Sequence, residues 1–332
     1  MQAAAASAPT RIDLAGGTLD IWPLYLFQPG ALTVNVAIDL RARTRVVPRD
    51  AGLRLESIDT GQASEAASAE DLAGAPGSPL GAYVLHALGI DRGLDVFTHS
   101  RVPAGSGLGG SSALAVTIAA AACRAAGRPV SEDELWPVVR DAEAQCIGVP
   151  TGIQDYLAAL YGGVLAIHLE AGRVRVEKLA LDPARVEECL LLVDAGATRF
   201  SGINNWEVFK ARVDGDRDVK EALNAIGAAA LRVRAALVEG RLDDVAPFLA
   251  EEWQARKRLA AGVTTPEIDR IVELALSVGG AGKVCGAGGG GMVAVWAKPP
   301  RRERAEEAIR GAGFSLVDFR IDRQGLVLED GA

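Results

Sequence analysis

The chain of 332 residues is 49% hydrophobic, which is enough for one large domain or for two smaller ones with substantial cores. Its net charge of −8 disfavours a nucleic-acid partner, because sequence-independent binding to nucleic acid depends on clustered Lys and Arg. Residues 1–9 lack the regions of a signal peptide, and no apolar run reaches the roughly 18 residues of a membrane span, so we expect a cytoplasmic protein without a membrane partner.

The first half of the chain alternates strand-like and helix-like segments. Residues 31–40 and 43–49 are predicted to form two paired strands, because both are rich in β-branched residues and alternate in polarity. The small polar residues of 60–79 predict a loop. The other elements predicted here are strands at 53–59 and 94–103, helices at 81–90, 111–126 and 131–148, and a hairpin at 163–179.

The pattern restarts near residue 186, which predicts a second domain. We place the boundary near residue 184, so that the domains are 1–183 and 184–332. The elements predicted in the second domain are a buried strand at 188–196, helices within 205–260 and at 266–278, and final strands at 283–298 and 314–322.

A glycine-rich loop precedes the helix predicted at 111–126. Residues 105–112 contain four glycines and three serines. Glycine lets the backbone approach a ligand closely, and a helix directs its unpaired N–H groups and positive dipole end at the same place. The loop is therefore a candidate phosphate site, with Ser111 or Ser112 as the expected N-cap of the helix.

Three known phosphate-binding designs could account for this loop. The Walker A design fails because the loop has no lysine. The dinucleotide fingerprint is present as Gly105, Gly107 and Gly110, but the second parallel strand with its ribose-binding acid is missing, so an NAD-dependent oxidoreductase is only an alternative. In the third design, Mg²⁺ held by a carboxylate replaces the lysine, and Glu143 on the following helix is a candidate.

Four segments, residues 8–20, 103–113, 148–155 and 283–292, resemble the ordered motifs of the GHMP kinase superfamily. This superfamily covers galactokinase and the homoserine, mevalonate and phosphomevalonate kinases. The resemblance spans essentially the whole chain and implies an α+β fold of two domains. The N-terminal domain would resemble domain 2 of ribosomal protein S5, the C-terminal domain would be ferredoxin-like, and the active site would lie in the cleft between them.

Within the superfamily, the chain is most similar to bacterial D-glycero-D-manno-heptose 7-phosphate kinases, with fucokinases as near relatives. Galactokinases carry a sugar-contacting Glu and a His where this chain has Gly17 and Thr18. The resemblance implies ATP-dependent transfer of the γ-phosphoryl group to a sugar hydroxyl, with the anomeric O1 of a heptose 7-phosphate or a related aldose as the first expectation. Galactose, fucose or a non-sugar alcohol remains an alternative acceptor, and the protein is expected to be a monomer or a homodimer.

The resemblance also implies roles for single residues. Asp155 matches the catalytic aspartate and Arg11 the basic residue beside it; an arginine there would keep the carboxylate ionised. Asp20 matches the ligand of the sugar hydroxyls in this family. A carboxylate suits that task because it accepts two hydrogen bonds at once. Gly17, Thr18 and Gly152 complete the expected substrate site.

The remaining roles concern ATP and Mg²⁺. Ser112 and Glu143 are the expected metal ligands, since Mg²⁺ prefers hard oxygen donors. Lys283 is expected to contact a substrate phosphate. The residues expected to bind ATP are Gly105, Ser106, Gly107, Leu108, Gly109, Gly110, Ser111, Ser112, Ala113, Gly288 and Gly289.

Overall fold

The computed structural model describes residues 1–74, 79–129, 131–196 and 202–330. Its strands are β1 (Ala4–Ala15), β2 (Ala31–Pro48), β3 (Leu53–Ser57), β4 (Gln62–Ala66), β5 (Leu94–Ser100), β6 (Val164–Glu170), β7 (Arg173–Lys178), β8 (Leu190–Asp194), β9 (Ala281–Val284), β10 (Met292–Trp296), β11 (Ser315–Leu316) and β12 (Val327–Asp330).

The helices lie between these strands. They are α1 (Ala69–Ala73), α2 (Leu80–Ala87), α3 (Gly110–Ala125), α4 (Glu132–Ile147), α5 (Gln154–Tyr161), α6 (Pro183–Glu187), α7 (Gly202–Val213), α8 (Arg217–Val238), α9 (Val245–Arg256), α10 (Pro266–Ser277) and α11 (Arg301–Gly311). A short 3₁₀ helix at Leu24–Phe27 follows β1.

The described residues form two sheets, and the larger of them has eight strands. Six of them follow the order β12-β1-β2-β5-β3-β4, and β6 and β7 branch from β2. Every pair is antiparallel except β3 with β5. Helix α3 packs on β1 and β2, and its many alanines are buried on nearly all sides, which brings the helix close to the sheet.

The smaller sheet has four antiparallel strands in the order β11-β8-β10-β9. Helices α9 and α10 pack on β9, and α9 also contacts β1 of the larger sheet. The chain returns to the larger sheet with β12, which pairs with β1. The division at residue 184 stays a prediction; the small sheet begins at Leu190.

The strand predicted at 314–322 is reduced to the two residues of β11, and two predicted segments of the first half of the chain also differ from the structure. The two segments predicted at 31–40 and 43–49 form one continuous strand that ends at Pro48, because β6 pairs with 31–36 of β2 and β5 pairs with 42–48, while β1 runs along the opposite edge. Residues 60–79 are not only loop. They include β4 and α1, which is capped by the Ser68 side chain; residues 75–78 lie outside the described part of the chain.

Among the described residues, no helix is both long and apolar enough to cross a lipid bilayer.

Candidate active site

The predicted phosphate loop links β5 to α3. Gly105, Gly107 and Gly109 have φ values of 74°, 79° and 73°, which favour glycine. The expected serine N-cap is wrong: Gly109 is the N-cap of α3 and makes no side-chain cap bond. Because no side chain caps the helix, the first N–H groups of α3 stay available to an anionic ligand.

A second glycine-rich segment supports this loop from the small sheet. A Cβ atom on Gly107 would lie 2.2 Å from the carbonyl oxygen of Cys285. The backbone N–H of Met292 donates to the Ser106 carbonyl oxygen at 2.9 Å. The two segments therefore meet backbone to backbone, at a distance that only glycine permits.

Gly288 and Gly289, which are expected from the sequence to bind ATP, contact Val263 in the segment before α10. A Cβ atom on Gly288 would lie 2.3 Å from the carbonyl oxygen of Val263, and the Gly289 N–H donates to the same oxygen at 3.0 Å. These two glycines therefore fix the loop that leads into α10.

Arg11 and Asp155, far apart in sequence, form a partly buried ion pair below the phosphate loop. Arg11 Nε lies 2.8 Å and Nη2 2.6 Å from Asp155 Oδ1. Arg11 also donates to the Gly107 carbonyl oxygen, and a Cβ atom on Gly109 would lie 2.9 Å from the Asp155 carboxyl group. Burial raises the pKa of Asp155 and the Arg11 charge opposes that rise. The predicted catalytic pair thus lies directly against the predicted phosphate site.

Asp20 is held beside this pair by the start of α5. The backbone N–H of Gln154 donates to Asp20 Oδ2 at 2.9 Å, and its side-chain amide donates to Oδ1 at 3.4 Å. A Cβ atom on Gly152 would lie 2.3 Å from Oδ2, so only glycine fits there. Burial raises the pKa of Asp20 to about 6, against the hydrogen bond from the Gln154 backbone.

Below the turn at residues 16–18 lie four buried charged side chains that the sequence analysis did not connect. Lys283 Nζ lies 2.8 Å from Asp13 Oδ2 and 3.1 Å from Glu252 Oε1. Arg256 Nη2 lies 2.5 Å from Glu252 Oε1 and 3.6 Å from Asp13 Oδ2. The prediction that Lys283 meets a substrate phosphate was wrong, because its ammonium group is buried and paired with two carboxylates.

Glu143 of α4 lies against the first turn of α3 and accepts three hydrogen bonds from hydroxyl groups. Ser111 Oγ donates to Oε1 at 2.6 Å, and Ser112 Oγ and Tyr156 OH donate to Oε2 at 2.7 and 2.6 Å. Burial raises the pKa of Glu143 and these hydroxyl groups oppose the rise. The buried carboxylate and the adjacent hydroxyl are hard oxygen donors beside the phosphate loop, so they fit a magnesium ion.

Some residues of the candidate site were found from the sequence and others were missed. The loop and the segments around Arg11 and Asp155 were found from their motifs. Gln154 and Tyr156 were missed although they flank Asp155. Glu252 and Arg256 were missed too, but their spacing of four residues around buried Trp253 indicates charges on an inward-facing side of a helix.

Models of two protein families match the chain. The GHMP kinases N terminal domain matches residues 80–163, and the GHMP kinases C terminal domain matches residues 233–314. The chain belongs to the GHMP kinases. It is a phosphotransferase of the class that acts on alcohol groups, as the sequence predicted.

Individual relatives agree with this family. A D-glycero-alpha-D-manno-heptose 7-phosphate kinase of Campylobacter jejuni is 28% identical over 329 residues, covering 96% of each chain. An L-fucokinase/L-fucose-1-P guanylyltransferase of Bacteroides fragilis is 27% identical over 89% of this chain, which spans 34% of that longer protein. The crystal structure of a D-glycero-D-manno-heptose 1-phosphate kinase from Bacteroides thetaiotaomicron superposes with a TM-score of 0.77, at 23% identity and 99% coverage of both chains.

These findings confirm the predicted GHMP kinase fold and exclude the dinucleotide-binding alternative. After α3 the GHMP kinase chain continues into α4 and α5 instead of a parallel strand. The strand that leads into the glycine loop, β5, pairs antiparallel with β2 and parallel with β3, which precedes it in the chain. The second parallel strand, which would carry the ribose-binding acid after the glycine loop and its helix, is therefore missing from this part of the structure.

Proposed function

We propose that this GHMP kinase transfers the γ-phosphoryl group of ATP to the anomeric O1 of a heptose 7-phosphate, with Mg²⁺, in the cytoplasm. One observation carries the proposal: Asp155 lies against Gly109 of the phosphate loop, and its neighbour Gln154 binds Asp20. A phosphate site, a base and a ligand for hydroxyl groups thus meet at the first turn of α5.

The acceptor is inferred from the relatives and from one local feature. The Campylobacter jejuni relative, which matches along nearly its whole length, is a heptose 7-phosphate kinase. A Cβ atom on Gly17 would lie 2.2 Å from Asp13 Oδ2. The glutamate that galactokinases carry at the matching position would therefore displace a buried, ion-paired carboxylate here, which disfavours galactose as the acceptor.

In the proposed reaction, the side chains chiefly position the acceptor, because phosphoryl transfer runs through a loose transition state. Asp20 would accept hydrogen bonds from the sugar hydroxyls. Asp155 would orient the attacking hydroxyl and accept its proton late in the transfer. Arg11 would keep the Asp155 carboxylate ionised and offset negative charge that develops on the acceptor oxygen.

The phosphates of ATP would bind to the backbone N–H groups of residues 105–113 and to the first turn of α3. Glu143 and Ser112 would hold Mg²⁺, which when bound neutralises charge on the phosphate oxygens. Gly107, which contacts Cys285, would keep this cradle aligned with the small sheet.

The test is an ATP-coupled assay with purified protein and Mg²⁺ across heptose 7-phosphate, fucose, galactose and mevalonate. We expect kcat/KM for heptose 7-phosphate to exceed that of each other acceptor by about 100-fold, because a site built for a substrate's polar groups rejects analogues without them. Phosphorus NMR should identify the product as an anomeric phosphate. A higher kcat/KM for another acceptor, or phosphate at another oxygen, would contradict the proposal.

A further inference from the structure

The turn at residues 16–18, which leads to Asp20, is held by a helix from the second half of the chain. Arg256 of α9 donates from Nη1 to Thr18 Oγ1 at 3.0 Å and from Nη2 to the Gly17 carbonyl oxygen at 2.9 Å. Glu252 of the same helix accepts from the Gly16 N–H at 3.3 Å. Each residue of the turn therefore has a bond to α9.

Arg256 itself cannot move easily. Its side chain is 2% exposed and is paired with Glu252 and Asp13, whose side chains are fully buried. Lys283 binds the same two carboxylates, so two acids and two bases compensate each other. If the guanidinium moved away, a buried carboxylate would be left without its partner, at a large cost in free energy. This cost keeps the Arg256 side chain in one orientation.

Thr18 has a φ of 76° and is the one described residue other than glycine with a positive φ. A β-branched residue is strongly disfavoured in this conformation, whereas glycine adopts it freely. What threonine supplies and glycine lacks is a hydroxyl group, and this hydroxyl accepts the bond from Arg256. The strain at Thr18 is therefore linked to the contact with α9.

The conformation of Thr18 determines where Asp20 lies. The Thr18 carbonyl oxygen accepts from the Ile21 N–H at 3.2 Å, and the Gly16 carbonyl oxygen accepts from the Leu19 N–H at 3.2 Å. These two bonds bracket Asp20, whose carboxylate meets Gln154. A change of backbone conformation at residue 18 would therefore displace the carboxylate that is proposed to bind the acceptor.

We infer that Arg256 is a positioning residue of the acceptor site, which holds Thr18 in its left-handed conformation and thereby lets α9 fix the turn that presents Asp20. The link to acceptor binding rests on the proposed function. The effect of Arg256 on the conformation of the turn does not rest on the proposed function, and it has a test of its own.

The first experiment compares Arg256→Met with Glu251→Gln. Glu251 neighbours Glu252 on α9, but it is exposed and pairs with Arg232 at the surface. For Arg256→Met we expect KM for heptose 7-phosphate to rise about tenfold while KM for ATP changes less than about twofold. A crystal structure of the variant should show Thr18 with a negative φ. Glu251→Gln should keep both KM values of the wild type.

The second experiment changes Thr18 and leaves all four buried charges in place, so that the variants fold. Thr18→Gly removes the strain and the hydroxyl together; we expect its melting temperature to equal or exceed that of the wild type while KM for heptose 7-phosphate rises. Thr18→Ser keeps the hydroxyl and should restore this KM. If the role of Arg256 were merely structural, loss of its contact with Thr18 would lower the melting temperature. It would not raise KM for heptose 7-phosphate at an unchanged melting temperature.

An unchanged acceptor KM in Thr18→Gly, or a positive φ at Thr18 in Arg256→Met, would overturn the inference. Failure of the proposed function has a different signature, because the wild type would then prefer another acceptor, phosphorylate another oxygen, or phosphorylate none of the acceptors. In that case the Thr18 conformation in Arg256→Met and the melting temperatures of the Thr18 variants still decide whether Arg256 positions the turn.

Discussion

Arg11 holds Asp155 through a single carboxylate oxygen: Nε and Nη2 of the guanidinium both reach Oδ1, at 2.8 and 2.6 Å. The other oxygen, Oδ2, lies on the side of Gly109, where a Cβ atom would be 2.9 Å away. One oxygen therefore fixes the orientation of the carboxylate and the other is directed toward the phosphate loop. An acceptor hydroxyl between Asp155 and the loop would meet an oriented base.

The first prediction concerns this base. Asp155→Asn should lower kcat by about 100-fold to 10,000-fold, because an amide cannot accept the proton of the acceptor hydroxyl. The Kd for ATP, measured by calorimetry, should stay near the wild-type value because Asp155 is not among the residues expected to bind ATP. The matched control is Asp141→Asn on α4, whose carboxylate is exposed. Full turnover in Asp155→Asn would exclude Asp155 as the base.

The second prediction concerns the pH dependence of acceptor use. Burial raises the pKa of Asp20 to about 6, so its carboxylate loses a hydrogen-bond acceptor when the pH falls below that value. We expect log(kcat/KM) for the acceptor to fall below about pH 6, with a slope approaching one. Asp20→Asn should lower kcat/KM and remove this limb of the profile. A limb that persists in the variant would assign the titration to another group.

The third prediction is that Asp20 costs stability at neutral pH. Its folded-state pKa of about 6 lies above the ordinary 3.8, so the folded protein keeps a proton that the unfolded chain releases between these values. The free energy of unfolding therefore falls as the pH rises through this range, and the full cost above pH 6 is about 3 kcal/mol. Asp20→Asn should be more stable than the wild type at pH 8.

Urea unfolding of both proteins at a series of pH values measures this difference. The advantage of Asp20→Asn should shrink steadily between about pH 6 and pH 4, because the wild-type carboxyl group becomes protonated in the folded state. Asp141→Asn is again the control and should show no such trend. An advantage that is the same at every pH would contradict the assigned cause.

The fourth prediction separates strain from contact at the phosphate loop. Gly107 and Gly127 have similar φ values, 79° and 69°, so alanine at either position carries the penalty of a left-handed conformation, about 1–2 kcal/mol. A Cβ atom on Gly107 would also lie 2.2 Å from the Cys285 carbonyl oxygen, whereas nothing lies within 4 Å at Gly127. Gly107→Ala should therefore lose more stability and also raise KM for ATP.

Differential scanning calorimetry and steady-state kinetics on both alanine variants provide the comparison. Gly127→Ala should lower the melting temperature slightly and leave KM for ATP unchanged. Equal losses of stability in the two variants would mean that the contact between the two glycine segments does not hold the phosphate loop.

The fifth prediction concerns the metal. Glu143→Gln should raise the Mg²⁺ concentration for half-maximal rate by about tenfold or more, because an amide oxygen binds Mg²⁺ less strongly than a carboxylate. A Mg²⁺ titration at fixed ATP measures this concentration. Glu134→Gln is the control, since Glu134 lies on the same helix and is exposed. An unchanged titration in Glu143→Gln would remove Glu143 as a metal ligand.

Most secondary structure followed from local pattern. The helix after the glycine loop, the hairpin of β6 and β7, and the strands around the second glycine segment were all predicted from periodicity and turn residues. The continuous strand β2 was not, because its length is set by β1, β5 and β6, which pair with different parts of it. Local propensity has no information on such partners.

In the candidate site, too, some features followed from local sequence and others depended on contacts between distant segments. Arg11, Asp20, Glu143 and Asp155 stood out because each lies in or beside a recognisable motif. The role of Lys283 was misjudged, because its position next to a glycine segment indicated a phosphate ligand. Only the approach of β1 and α9 showed that Asp13 and Glu252 take both of its contacts.

By itself, the sequence determined the family, the phosphate loop and the residue types that carry the proposed chemistry, because these depend on short segments in a fixed order. Only the tertiary structure decided which carboxylates are enclosed among buried charges and which keep an oxygen directed toward the phosphate loop, since burial and charge compensation arise between segments far apart in the chain. Asp13 and Asp155 both lie in segments that resemble family motifs. Asp13, however, is fully buried against Lys283, whereas Asp155 lies beside the phosphate loop.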